Sequence, residues 1–429
     1  MTNEYMLLNK NPSLLRRFER EDGPSGTYPQ ESIDINEGNE IENNISIEEN
    51  EPMIPKKEKE NQGKKKERVY WVDFLRVLAC FLVVQTHCSI KYLNPSPKVG
   101  SFNWKVLCVY NAIARPCVPF FIMISGIFFL NPKKVITFKQ IFSKYVFRIF
   151  KSFLFWSIFY NVIERFVIYY NPKYKFSKDL VVYTVRRVIL GGGHALWYLN
   201  FVMGLYILTP IFKVITPNRE VTWYAVIIFS IATQFIPTLC NILTEIYGLK
   251  ELPSIISEYF KGLYLELAGN YATYYLLGYL LSTCEFRRKI YRYILYLFSL
   301  IGLVGTVVLR FKSSFRTRKN NGRFVEFYSF NVVLATVGLF VFHKYEMNTV
   351  IDRLMRVKIF KTFLMSLSEC SFGMYLIHMF VLRAYTKLNI HVQTFNPVIW
   401  TPIFTAIVFF TCYIVIYLLR KISFFRTVT

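Results

Sequence analysis

An all-α, polytopic membrane protein, with about ten transmembrane helices behind a disordered N-terminal extension, is the fold class this sequence predicts, and three observations predict it. Of 429 residues 53% are hydrophobic, among them 30 Tyr and 41 Phe. A water-soluble chain of this length has no use for so much apolar surface, because its outer face must meet water. The apolar residues also gather into blocks close to the roughly 20 residues that a helix needs to cross a bilayer. Lys and Arg, finally, sit mainly in the short segments between the blocks, a pattern of membrane topology and headgroup contact.

Residues 1–67 hold 15 acids against 10 Lys or Arg, a net of −5 that leaves +29 on residues 68–429. They are polar, rich in Asn and Glu and without periodicity, which predicts a disordered cytoplasmic extension. No early apolar stretch suggests a cleavable signal peptide, and the acidity argues against a mitochondrial presequence. The run Lys64-Lys65-Lys66-Glu67-Arg68 abuts the first apolar block and places the N-terminus in the cytosol. The membrane domain is expected over 68–421, with spans at 69–90, 106–130, 148–170, 196–216, 221–241, 265–283, 293–310, 326–343, 363–383 and 399–419. An even number of spans returns the tail, 422–429, to the cytosol. The expected cytoplasmic loops agree, carrying Lys133, Lys134, Lys139 and Lys144, then Arg287, Arg288 and Lys289, then Arg353, Arg356, Lys358 and Lys361. Two expected outer loops, 171–195 and 311–325, are basic as well. The first contains an amphipathic stretch near 178–190 that reads as a helix lying in the interface. A plasma membrane and an endomembrane fit these features equally.

Basic charge confined to loops between apolar blocks argues against a nucleic-acid partner, which calls for Lys and Arg on soluble faces. The eight Cys are scattered, mostly inside apolar blocks and never as CxxC, so they read as small hydrophobes, and no metal site is expected.

Ionisable groups within lipid are costly and ask for a reason. The first span holds Asp73, Arg76 and His87. Asp73 and Arg76 are three residues apart, neighbours on one helix face and able to pair. Arg76 and His87 are eleven apart, close to three turns, which puts them on one face about 16 Å apart along the axis. Two readings stand on this helix alone: a functional array, or charges reaching out to the two interfaces. His378, in the ninth span, can join His87 at one cavity, where a neutral imidazole suits general-base work, or can serve a buried structural hydrogen bond. In the second span, Arg115-Pro116-Cys117-Val118-Pro119 through Ser125-Gly126 breaks helical regularity. Such backbone is tolerated at membrane depth where it faces protein or a wet cavity, so Arg115 offers a positive charge there, or the segment is a kinked packing helix. His194, Trp197 and Tyr198 follow a triple glycine, and the two aromatics also suit the interface belt. Glu266 and Glu369 are the remaining acids placed to orient a His or pair with an Arg.

Four segments, taken in order, resemble acyltransferase family three of the integral membrane O-acyltransferases and, within it, the bacterial surface-polysaccharide O-acetyltransferases. They are Asp73-Phe74-Leu75-Arg76 to His87, Val118-Pro119-Phe120-Phe121 to Ser125-Gly126, Leu196-Trp197-Tyr198 to Thr209-Pro210, and Tyr375-Leu376-Ile377-His378. They extend over about residues 70 to 380, and neither the acidic extension nor an appended soluble domain belongs to the shared core. The resemblance implies transfer of an acyl group, usually acetyl from acetyl-CoA as co-substrate with no bound cofactor, to a hydroxyl of a carbohydrate or glycolipid. It also implies an essential His87. In this frame His87, Arg76 and His378 are the catalytic set. Asp73, Arg115, Arg148, Ser125 and Tyr375 are expected to bind or orient the donor, with Tyr375 or Ser125 as an oxyanion donor. His194 and Trp197 fall on the acceptor side. A proton-coupled carrier built on the same intramembrane charges is the competing reading, weakened by the lack of an internal repeat. A membrane scaffold that works through its N-terminal extension is a third.

Overall fold

A computed structural model describes residues 68–93, 97–163, 178–190, 194–263, 265 and 271–429. The expected extension 1–67 and the Glu266 site therefore lie outside the described residues. The described chain is helical throughout, with no strand among the described residues. Its elements are α1 (Tyr70–Ile90), α2 (Phe102–Phe129), α3 (138–163), α4 (Lys178–Leu190), α5 (Trp197–Ile215), α6 (Arg219–Tyr247), α7 (Glu251–Gly262), α8 (Ala272–Thr283), α9 (Lys289–Thr317), α10 (Arg323–Leu354, regular from Phe330), α11 (Lys358–Lys387) and α12 (Pro397–Leu419), followed by a short helix, Ser423–Val428.

Eight of these, α1, α2, α5, α6, α9, α10, α11 and α12, are long and apolar enough to cross a membrane, and they coincide with eight of the ten expected spans. The two other expected spans are described only in part. The span expected at 148–170 belongs to α3, which is described only to Ile163 and carries Lys144, Arg148 and Lys151. The span expected at 265–283 is represented by α8, 12 residues long. The chain is a multi-pass integral membrane protein. The stretch expected to lie in the interface is α4, 13 residues long, whose Val182, Ile189 and Leu190 are exposed. Ser157 of α3 donates to the Val188 carbonyl at 2.7 Å and holds α4 in place.

Local chemistry starts and stops the helices. The Ser101 hydroxyl accepts from the Trp104 N–H at the head of α2, and Asn218 accepts from Glu220 and Val221 at the head of α6. At α12, Asn396 caps Val398 and Pro397 takes the first turn, where a missing N–H costs nothing. The expected irregularity in α2 is a turn at Ala114-Arg115-Pro116 that divides the helix into Phe102–Ile113 and Cys117–Phe129. Pro116 has no N–H to continue the ladder. Pro119 then falls in the first turn of the new segment, where the N–H groups lack helical partners anyway.

The bundle has an inner and an outer set. The apolar stretches of α1, α2, α10 and α11 are each more than three-fifths buried inside the protein, whereas those of α5, α6, α9 and α12 are a third buried or less. The outer helices turn Leu, Ile and Phe outward, as lipid-facing helices do. α1 is the axis, packed against α2, α10, α11 and α12.

In lipid no hydrophobic force presses helices together, so close approach depends on small residues. Gly126 of α2 and Gly278 of α8 meet where those helices cross. A Cβ on Gly126 would stand 2.0 Å from the Tyr275 carbonyl oxygen, and one on Gly278 would stand 2.1 Å from that of Met123. Both obstacles are backbone, so neither can swing aside. Gly278→Leu is therefore expected to cost at least about 1–3 kcal/mol, read as a lower melting temperature of the protein purified in detergent. An unchanged melt would mean that the two backbones do not touch.

Candidate active site

The site assembles on the four inner helices and the start of α5. His87 lies one turn from the end of α1, and its ring stands 4.9 Å from that of His378 on α11, the planes inclined by 46°. His378 is fully buried, and its Nδ1 sits 2.5 Å from the Tyr375 carbonyl oxygen. A carbonyl only accepts, so Nδ1 carries the proton and Nε2 presents a lone pair. That Nε2 is buried and has no hydrogen-bond partner. The two imidazoles are thus in contact, one of them with an unpartnered acceptor nitrogen.

A cavity of about 170 Å³ opens beside His87, lined by Val83, Thr86 and Ile90 of α1, by Arg115, Cys117 and Val118 at the break in α2, and by Ala195, Trp197, Tyr198, Phe327 and Tyr375. This volume suits the reacting ends of two substrates rather than a whole ligand. A larger concavity of about 530 Å³ near Arg287 and Arg288 has no His.

The expected residues separate into two groups along α1. At the far end from His87, Asp73 is 6% exposed. It accepts from Arg68 Nε at 2.7 Å and from the Ser368 hydroxyl of α11 at 2.6 Å. The bond to Asp73 raises the Arg68 pKa above its ordinary value. Arg76 approaches Asp73 at 3.7 Å, the pairing expected from their spacing, and donates to Ser368 Oγ at 3.4 Å. Its side chain keeps 31% of its surface open. Arg148, exposed on α3, lies with Arg76 within electrostatic reach of Tyr206. Glu369 meets Arg68 at 3.6 Å and so serves this end, not a His.

Ser125 belongs to this first group in space as well. It stands two turns beyond Cys117, donates to the Phe121 carbonyl at 3.0 Å and does not line the cavity. Tyr375 does line it, but its hydroxyl is taken up by the Ala195 carbonyl, which ties α11 to the turn His194–Leu196. Trp197 lines the cavity and stacks on Phe327 at 6.1 Å. The backbone of His194 is in that turn, and its side chain lies outside the described residues. The Thr209-Pro210 segment works as a brace: Thr209 and Tyr275, both fully buried, share a hydrogen bond of 2.9 Å between α5 and α8.

Arg115 joins the second group. The break in α2 turns it to the cavity at the His87 end, away from Arg76. Its Nη2 donates to Asn111 Oδ1 at 2.9 Å, and its guanidinium lies 5.2 Å from the Phe327 ring centre. The same Asn111 oxygen accepts from Arg310 of α9 at 2.8 Å. Arg310 is 1% exposed, and its Nη2 donates to Asn320 Oδ1 at 3.1 Å. The amide nitrogen of Asn111 donates to Ser89 Oγ at 3.1 Å, which fixes its oxygen toward the two arginines. Sequence reasoning missed Arg310, Asn111, Asn320 and Ser368. Arg310 did leave a signal, since it stands at the last position of an expected span where any charge asks for a partner. The described residues include no group of three or more His, Cys, Asp or Glu placed to hold a metal ion.

A family model described as an acyltransferase domain, the third of that series, matches residues 69–418. The chain belongs to acyltransferase family three. No curated protein and no solved structure matches it. Membership makes the protein a membrane acyltransferase, and the four segments that carry the likeness divide by task. The first and last meet at the His pair, the second supplies the break and the Gly126 crossing, and the third supplies Trp197, Tyr198 and the Thr209 brace.

The shared oxygen of Asn111 makes a direct prediction. Asn111→Leu leaves two buried guanidiniums facing an apolar side chain and is expected to cost on the order of 3 kcal/mol. Asn111→Asp puts a carboxylate between them and should melt well above the Leu variant. Equal melting of the two would show that the arginines do not depend on this oxygen.

Proposed function

We propose that this acyltransferase moves an acyl group, acetyl from acetyl-CoA, onto a hydroxyl of a carbohydrate or glycolipid, with His87 as general base. The observation that carries the reading is the His87–His378 contact beside a small cavity, with Arg76 on the same face of the same helix toward its other end. Family membership supplies acyl transfer, and the geometry supports a division of labour.

The donor enters at the Arg76 end. Arg76 and Arg148 supply cations for its phosphates, and the pantetheine arm runs along α1 to bring the thioester to the cavity. Asp73 and Ser368 hold Arg76 rather than touch the donor. The positive loops support a cytosolic position for this end and for both chain termini. The acceptor hydroxyl enters at the His87 end, beside Trp197.

His87 then takes the hydroxyl proton while the oxygen attacks the thioester carbon. The tetrahedral intermediate collapses with loss of the CoA thiolate. The proton on His87 passes to the sulfur, leaving an ester and free CoA thiol, with no covalent bond to the protein. His378 acts as a positioning residue. Its Nε2 lone pair, unpartnered at rest, accepts from one nitrogen of His87 when the substrates bind and so turns the other toward the hydroxyl. It also steadies the imidazolium that forms, as a second partner does for many catalytic histidines. Burial of His378 and the small volume of the cavity leave little room for water, which would otherwise compete as the acceptor.

Transfer of radiolabelled acetyl from acetyl-CoA into membrane glycans and glycolipids tests the reading. Wild-type membranes should label, and His87→Ala at matched expression should lose about 10²–10⁴-fold of the rate, the usual worth of a general base. His378→Phe should lower kcat and leave the donor KM in place, whereas Arg76→Gln should raise that KM. Label that persists undiminished in His87→Ala would overturn the base assignment. Absence of label together with solute flux independent of acyl-CoA would favour a carrier.

A further inference from the structure

Two arginines, 5% and 1% exposed, converge on a single neutral oxygen. Among the described residues no carboxylate lies within ion-pair distance of either. Glu326, which is exposed, is the carboxylate within electrostatic reach of Arg115, and it forms no salt bridge with it. The Nε atoms of both guanidiniums are buried without a hydrogen-bond partner. Elsewhere in the protein a part-buried guanidinium meets a carboxylate, as Arg76 meets Asp73 and Arg292 meets Glu346. A buried double positive charge with one amide between its members is expensive, and a protein retains such a charge where an anion arrives to balance it.

Arg115 lines the cavity that His87 lines, so the anion it awaits lies within a few atoms of the reacting hydroxyl. We propose that Arg115, backed by Asn111 and Arg310, binds a phosphate group carried by the acyl acceptor. The assignment to the acceptor rests on the acyl-transfer reading above. A donor with its thioester at His87 keeps its own phosphates a full pantetheine arm away, toward Arg76. Stabilising the tetrahedral oxyanion alone would leave both charges unbalanced for most of the cycle.

The surroundings favour an anion from the same side. The last turns of α9 and the loop after it expose Lys312, Arg316, Arg318 and Lys319, and Asn320 of that loop reaches inward to Arg310, to Trp104 Nε1 at 3.3 Å and to the Leu93 carbonyl at 3.2 Å. An exposed basic rim above a buried basic site raises the local concentration of anionic ligands.

Binding measured without acyl-CoA tests the proposal independently of acyl transfer. Full-length protein in phosphatidylcholine nanodiscs is titrated with decyl phosphate, with inorganic phosphate and with neutral decyl glucoside, and binding is read from the melting temperature. Decyl phosphate should raise the melt of the wild type and decyl glucoside should not. Arg115→Gln should weaken the apparent affinity at least about tenfold, and Arg115→Lys should retain part of it. Asn111→Asp, in which a built-in carboxylate occupies the arginine pair, should lose it too, and it provides a folded comparison should Arg115→Gln be unstable. A response to inorganic phosphate with the same Arg115 dependence would assign the site to water-soluble sugar phosphates. A response to decyl phosphate alone would assign it to lipid-linked acceptors. Equal binding of decyl glucoside, or decyl phosphate affinity unchanged in Arg115→Gln and Asn111→Asp, would overturn the proposal. Acetyl transfer that fails while Arg115-dependent binding stands would fault the acyl-transfer reading and leave the anion site intact.

Discussion

The cost of carrying charge through a medium that cannot solvate it governs this protein. α1 bears an acid, a guanidinium and an imidazole within one span, and the rest of the bundle is arranged to make that tolerable. The three other inner helices pack around it. At one end, Asp73 receives Arg68, Arg76 and the Ser368 hydroxyl. At the other, Thr86 and Ser89 of α1 meet the Asn111 amide nitrogen, which leaves the amide oxygen to the arginines behind it. Uncharged amides and hydroxyls do most of this coupling, because they can connect two ions without adding a third.

A second constraint shapes the walls. With no water-driven force between helices in lipid, contact is made by close backbone approach, by hydrogen bonds and by van der Waals packing. The Gly126–Gly278 crossing fixes α2 against α8. Tyr160 donates to the Leu376 carbonyl at 2.5 Å near the His pair, and Cys80 reaches the Ser371 carbonyl at 3.5 Å about two turns from it, so α11 is held from both α3 and α1. Lys91, past the end of α1, donates to Thr386 at 2.7 Å, and burial lowers its pKa. The imidazoles are thus placed by a scaffold that allows them little freedom to part.

Much of this is legible in the amino-acid sequence. Because crossing a bilayer imposes a length, hydrophobic blocks mark eight spans, several of which run on as helix for two or three turns past the expected end. The Asp73–Arg76 pairing and the shared face of Arg76 and His87 follow from 3.6 residues per turn, which holds within a single helix. The break at Pro116 follows from the missing N–H. What lies beyond reach involves contacts between helices. Nothing in the spacing says that Ser125 points back at its own helix, that Tyr375 spends its hydroxyl on Ala195, or that Arg115 faces the opposite end of α1 from Arg76. Arg310 comes to Asn111 from 199 residues away. Such meetings depend on the rotation of each helix about its axis, and in a lipid-facing helix apolar on most sides the pattern barely records that rotation.

Between Arg76 and His87, α1 runs through Val77-Leu78-Ala79-Cys80-Phe81-Leu82-Val83-Val84-Gln85-Thr86 without a proline, a glycine or a break. Such a rod neither stretches nor bends appreciably, so the distance from cation to imidazole is a constant of the molecule, about 16 Å by helix rise. The protein thereby carries a gauge. A molecule that engages both residues must hold its charged end and its reacting end that far apart. One that is too short leaves an end unfilled, and one that is too long must buckle against the buried face of α11. On the function proposed above, the spacing of eleven residues between them sets how far a donor's charged end stands from its reacting end.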